Sequence, residues 1–122
     1  MQDYRNLRVW QKAHRLALTT YAVSPYLKVP EAWPLRDQLL RAAISIPSNI
    51  AEGAGRGSDP DFRRFLWHSL GSTNELEYDL LLARDLTFLL PKTHATLTEQ
   101  LEEVRRMLSG LVRSLTPADG GH

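Results

Sequence analysis

Between Leu97 and Leu115 the apolar residues Leu97, Leu101, Val104, Leu108, Leu111 and Leu115 alternate four- and three-residue steps without exception. An α-helix returns to the same face every three or four residues, so this spacing draws a single apolar seam along one helix. Such a seam is buried by packing against an antiparallel neighbour, which points to an all-α bundle. At 122 residues with 43% hydrophobic content the chain can build one compact core and is too short for two ordinary domains. The expectation is one four-helix-bundle domain over 1–115 and a flexible tail over 116–122, where Pro117, Gly120 and Gly121 interrupt any periodicity.

Three further helices are predicted. The first runs from about Tyr4 to Ser24 and buries Leu7, Trp10, Ala13, Ala17 and Tyr21. Pro25, Pro30 and Pro34 then mark a connection of about ten residues. The second, about Leu35 to Gly53, buries Leu35, Leu39, Ala42, Ala43, Ile46 and Ile50. It contains Pro47, which lacks an N–H for the Ala43 carbonyl and should kink or restart the helix, at about 3 kcal/mol if unrelieved. Ser45, Ser48 and Asn49 can bond the freed backbone, and Gly53, Gly55 and Gly57 end the helix by tolerating left-handed backbone. Asp59-Pro60-Asp61 reads as a cap, a first-turn proline and a first-turn acid. The third helix follows to about Leu89, burying Phe62, Phe65, Leu66, Ser69, Thr73, Leu76, Leu80 and Ala83.

Helices two and three also carry second apolar stripes: Leu40, Ile44, Pro47 and Ala51 on one, Trp67, Gly71, Tyr78, Leu82 and Leu89 on the other. Two stripes on one helix call for two packing partners, and a small bundle supplies one. A homo-oligomer is therefore predicted, with Leu40, Ile44, Pro47, Trp67, Gly71, Tyr78, Leu82 and Leu89 at its interface. The alternative is that these residues widen the intramolecular core.

Chemistry-bearing patterns are sparse. Cysteine is absent, which excludes disulfides, thiolate metal sites and cysteine nucleophiles. Glu52, Glu75 and Glu102 are followed three residues later by Gly55, Tyr78 and Arg105, so the Glu-x-x-His pairs of bundle di-metal sites are missing, and His14, His68, His94 and His122 are scattered. Gly53-Ala54-Gly55-Arg56-Gly57 follows a helix and lacks the Lys-Ser/Thr ending of a P-loop. The reading is of a non-enzyme without cofactor or metal. No stretch has the length of a membrane span and the N-terminus lacks a signal-type apolar core, so a soluble cytoplasmic protein is expected.

Fifteen basic and fourteen acidic residues leave a formal charge of +1, so any polyanion site must come from local clustering. Arg5, Arg8, Lys12 and Arg15 would share a sector of about 80 degrees on the first helix, opposite Trp10 and His14. Such a ridge can track phosphates, although a charge run is also the ordinary solvated face of a helix. Arg63, Arg64, Arg105, Arg106 and Arg113 could extend it, while Glu99, Glu102 and Glu103 dilute that side.

Three motifs, in order, add a resemblance: Leu7-Arg8-Val9-Trp10-Gln11-Lys12-Ala13, then Ile44-Ser45-Ile46-Pro47-Ser48-Asn49-Ile50-Ala51-Glu52-Gly53, then Gly71-Ser72 with Glu75-Leu76-Glu77. Over roughly residues 5 to 115 the chain resembles the four-helix-bundle family named for open reading frames inside 23S rRNA intervening sequences. The family's better-understood relatives are accessory proteins of diversity-generating retroelements, which look like pentameric barrels that bind nucleic acid and a reverse transcriptase. The resemblance thus implies a closed ring of five copies, RNA or DNA on the first-helix ridge, and a reverse-transcriptase-like partner. The competing reading is an oligomeric protein-interaction scaffold that binds no nucleic acid, and the near-neutral charge favours it.

Overall fold

The computed structural model describes residues 2–118; the tail residues 119–122, His122 among them, lie outside the described residues. Four helices, α1 (Arg8–Val23), α2 (Trp33–Ala54), α3 (Asp59–Asp85) and α4 (Pro91–Leu115), make up the chain, with no strand among the described residues. Each packs against its neighbours in sequence, and α1 closes the bundle against α4. Short 3-10 turns at Tyr4–Asn6, Ser24–Tyr26 and Pro30–Ala32 complete the path.

The core follows helical periodicity with two shifts of phase. On α4, Leu97, Leu101, Val104 and Leu108 are buried as expected, but Val112 takes the last inward place and leaves Leu111 and Leu115 half-buried. A strict alternation of four and three averages 3.5 residues per step, whereas a straight helix turns in 3.6, so the inward face drifts by the last turn. On α1 the buried residues are Val9, Ala13, Leu16, Ala17 and Thr20. Leu7, an extended residue ahead of the helix, and Trp10 are only half-buried and Tyr21 is exposed, because the inward face of α1 runs through Val9, Ala13, Leu16 and Thr20 instead.

Pro47 neither breaks nor restarts α2, which runs unbroken from Trp33 to Ala54. Carbonyls beside the proline gain side-chain donors: Asn49 Nδ2 donates to the Ser45 carbonyl at 2.8 Å, and Ser69 Oγ of α3 donates to the Ile46 carbonyl at 2.7 Å. Ile46, Pro47 and Ile50 are all buried. Full burial of each isoleucine contributes about 1.5–3 kcal/mol, enough to offset the roughly 3 kcal/mol that an interior proline costs.

Gly53 does not terminate the helix either. It lies inside α2, buried, where an added Cβ would stand 2.7 Å from Phe65 Cβ and 2.9 Å from Phe62 Cδ1. Glycine is there for the close approach of α2 and α3, and the helix ends two residues later at Gly55 with ordinary negative φ.

Two boundaries also differ from expectation. Ser58, not Asp59, caps α3, its hydroxyl accepting from the Asp61 N–H at 3.3 Å. At the other end α3 stops at Asp85 because Thr87 takes left-handed backbone at φ 66°, and the Phe88 N–H reaches back to the Ala83 carbonyl at 2.9 Å. This is the closure that glycine usually provides at a helix end. It turns the chain so that Leu89 folds into the core, 4% exposed.

Candidate nucleic-acid and assembly surfaces

The four cations expected to form one ridge are not in one helical phase. Extended backbone at Leu7 (φ −79°, ψ 123°) separates the Tyr4–Asn6 turn from α1, so Arg5 leaves the line of Arg8, Lys12 and Arg15. Arg5 is moreover held by Asp3 through two bonds, Nε to Oδ1 at 3.0 Å and Nη2 to Oδ2 at 3.1 Å. Those bonds keep the Asp3 carboxyl below the usual range and raise the Arg5 guanidinium.

Lys12 reaches across to α4 and pairs with Glu103 at 3.0 Å. That hydrogen bond, and then the Lys12 charge, hold the Glu103 carboxyl below its ordinary value, with Arg8 and Arg106 adding to the same field. Arg8, Lys12 and Arg106 thus surround a single carboxylate, and Arg15 stands exposed further along α1. Arg8, Arg15 and Arg106 form no ion pair among the described residues. Around Glu103 itself three cations meet one carboxylate, with Glu99 and Glu102 also on α4. Arg105 takes no part: it turns to α3 and bonds Asn74, Glu77 and Glu102. Arg63 is likewise engaged, donating to the Leu115 carbonyl at 2.6 Å.

The residues expected at an oligomer interface divide. Pro47 is largely buried on α2 but lines a groove between α1 and α2, whereas Leu89 lies beyond the end of α3 and is buried in the core. Leu40 and Leu82 are half-buried. Trp67 and Tyr78 are 59% and 60% exposed, and a Cβ added at Gly71 between them would meet nothing within 4 Å beyond its own stretch of helix. These three share the side of α3 that faces away from the core.

Ile44 stands on a different surface. Together with Trp10, His14, Leu18, Tyr21 and Ala51 it lines an open groove of about 470 Å³ between α1 and α2. His14 stacks on Trp10 with ring centroids 4.9 Å apart and planes 8° from parallel, and Tyr4 meets the other side of Trp10 edge-on at 4.9 Å. Sequence reasoning placed Trp10 and Tyr21 in the core and passed over Leu18. The spacing 14, 18, 21 was the available signal for a second apolar stripe on α1.

A polar seam joins α2 to α3. Ser45 and Ser72 hydroxyls lie 2.7 Å apart, and Gln38 donates to Glu75 at 3.3 Å. Further along α3 Asp79 is 5% exposed, its Oδ2 has no hydrogen-bond partner, and burial together with the neighbouring Glu75 pushes its carboxyl up to about 6. Among the described residues no group of three or more His, Asp or Glu side chains is arranged to hold a metal ion, and no helix is long and apolar enough to cross a membrane.

Over residues 5–110 the chain matches the 23S rRNA-intervening sequence proteins. It belongs to that family. A similar solved structure is that of a protein of unknown function from the S23 ribosomal protein family of Bacteroides thetaiotaomicron VPI-5482, with a TM-score of 0.81 and 24% identity. The match covers 86% of this chain and 98% of that one, and what it shows is a shared fold. No curated protein matches the chain in sequence. Membership of the 23S rRNA-intervening sequence family therefore accounts for the four-helix architecture and its three motifs, while function must be argued from the surfaces.

Proposed function

We propose that the protein is a non-enzymatic, self-assembling bundle of the cytoplasm that holds nucleic-acid phosphates on its α1–α4 face. The observation that carries this reading is the gathering of Arg8, Lys12 and Arg106 around the carboxylate of Glu103, with Arg15 exposed further along α1. Each phosphate contact releases counterions, so even a small cluster contributes affinity at low salt. Assembly repeats the cluster in every copy, and a ring of five, as the family resemblance implies, would turn weak local charge into multivalent binding. Exposed Trp67 and Tyr78, together on the outer side of α3, support self-association, because aromatic side chains are enriched where chains meet.

The second reading, an assembly scaffold without nucleic acid, draws on the same exposed apolar surfaces and on the near-neutral formal charge of +1. Fluorescence anisotropy of labelled RNA and DNA from about 50 to 200 mM salt separates the two. The expected result is salt-sensitive binding by the wild type and its loss in a variant combining Arg8→Ala, Arg15→Ala and Arg106→Ala. Absence of binding by folded wild type at the lowest salt would establish the scaffold reading, and equal binding by the variant would move the site elsewhere.

A further inference from the structure

The geometry points to a head-to-tail interface in which the α1–α2 groove of one copy receives the outer face of α3 from the next. This rests on the self-assembly reading above and specifies which surfaces meet.

The two surfaces are complementary in shape. The groove is concave, with Leu18 57% and Ile44 41% exposed at its mouth and the stacked Trp10–His14 pair in its wall. The α3 face is convex, with Trp67 and Tyr78 projecting on either side of the open space at Gly71. A backbone with no side chain at that point lets a neighbouring helix come close.

They are complementary in charge as well. Of the α1 cations, Arg8 and Lys12 lie at the Glu103 seam, which leaves Arg15 as the one beside the groove. Beyond Gly71 on α3, Asp79 is buried, Glu77 is paired with Arg105 and Asp85 with Arg84, which leaves Glu75 as the exposed carboxylate without a cation among the described residues. Arg15 lies three residues from Leu18 at the groove, and Glu75 lies three residues from Tyr78 on the ridge, so each apolar patch has an oppositely charged neighbour on the same helix face. Glu75 is bonded within its own chain only by the neutral Gln38 and has no cationic partner among the described residues.

One copy cannot bring the two surfaces together. α1 packs on α2 and α4, α3 packs on the same two helices, and α1 and α3 occupy opposite corners of the bundle. Two different patches on one chain make a heterologous contact, and such contacts build a ring where the rotation between copies closes and an open filament where it does not.

The test uses two double variants: Leu18→Glu/Ile44→Glu in the groove and Trp67→Glu/Tyr78→Glu on the ridge. All four positions are exposed, and circular dichroism checks that both variants keep wild-type helix content. In sedimentation velocity the wild type should assemble, each variant alone should lose every species larger than a monomer, and an equimolar mixture should form a 1:1 heterodimer through the one intact pair of surfaces. If either variant still assembles alone, the pairing is overturned in favour of a contact between like surfaces or one elsewhere. A monomeric wild type would instead overturn the assembly reading itself. Should a double variant misfold, cysteine-free wild type allows a second measurement: Ile44→Cys copies mixed with Trp67→Cys copies should be joined by a short bismaleimide in preference to either copy with itself, and preferential self-linking would overturn the pairing.

Discussion

The Ser69 hydroxyl donates to the Ile46 carbonyl across 2.7 Å, joining α3 to the peptide bond that precedes Pro47 on α2. Ser69 is fully buried, so its hydroxyl has no water to turn to, and the bond serves both partners at the point where the helix lacks an amide donor.

Ser69→Ala should therefore destabilise the bundle by about 1–2 kcal/mol, more than a neutral serine-to-alanine change in a helix. Urea unfolding followed by circular dichroism measures this. A loss no larger than that of an exposed control such as Ser114→Ala would refute the proposed role.

At Gly53 the two effects of adding a methyl oppose each other. Alanine is the better helix former by about 1 kcal/mol, but its Cβ would be 2.7 Å from Phe65 Cβ, and Phe65 is fixed to helix backbone rather than at the end of a flexible chain. Forcing α2 and α3 apart costs about 1–3 kcal/mol, so Gly53→Ala should lower the thermal midpoint, whereas Gly71→Ala, with open space around it, should leave it unchanged or raise it in the monomer.

Asp79 governs a pH effect on stability whose sign follows from its buried carboxyl. Its folded-state value of about 6 exceeds the ordinary 3.8, so between those values the folded chain holds a proton that the unfolded chain has released. Through this group stability is gained as pH falls from about 6 to about 4, and at neutral pH the ionised carboxylate is a cost. Asp79→Asn should stabilise the protein at pH 7 by on the order of 1–2 kcal/mol and lose that advantage by pH 4. Equal unfolding midpoints for variant and wild type across the range would count against the assignment.

Glu103 is the acid that Lys12 pairs with at the α1–α4 seam, and Glu103→Gln frees Lys12 from its ion pair. If phosphates bind there, the substitution should tighten RNA binding by roughly three- to tenfold at low salt and steepen its salt dependence. Unchanged affinity together with an unchanged salt slope would place the binding surface away from Glu103.

Much of this architecture is legible from one dimension. The eight buried positions expected on α3, from Phe62 to Ala83, are all buried, and the α4 seam departs from its heptad only in the last turn. Helical periodicity is a local property, so side-chain spacing suffices to locate it. The functional surfaces were less legible. Four evenly spaced cations implied one ridge, yet Arg5 depends on whether Leu7 continues the helix, and Arg106 joins the cluster only because α4 lies beside α1.

What the sequence by itself determined, then, is the number of helices, the faces they bury and the lack of thiol chemistry, because hydrophobic period and residue type act over a few neighbours. Only the tertiary structure decided that Pro47 stays inside an unbroken helix, that Thr87 rather than a glycine turns the chain and carries Leu89 into the core, and that Trp67, Tyr78 and Ile44 remain uncovered. Each of those outcomes depends on the packing of distant segments: the Ser69 hydroxyl for α2, the core that receives Leu89, and the lack, among the described residues, of a further helix over the outer side of α3.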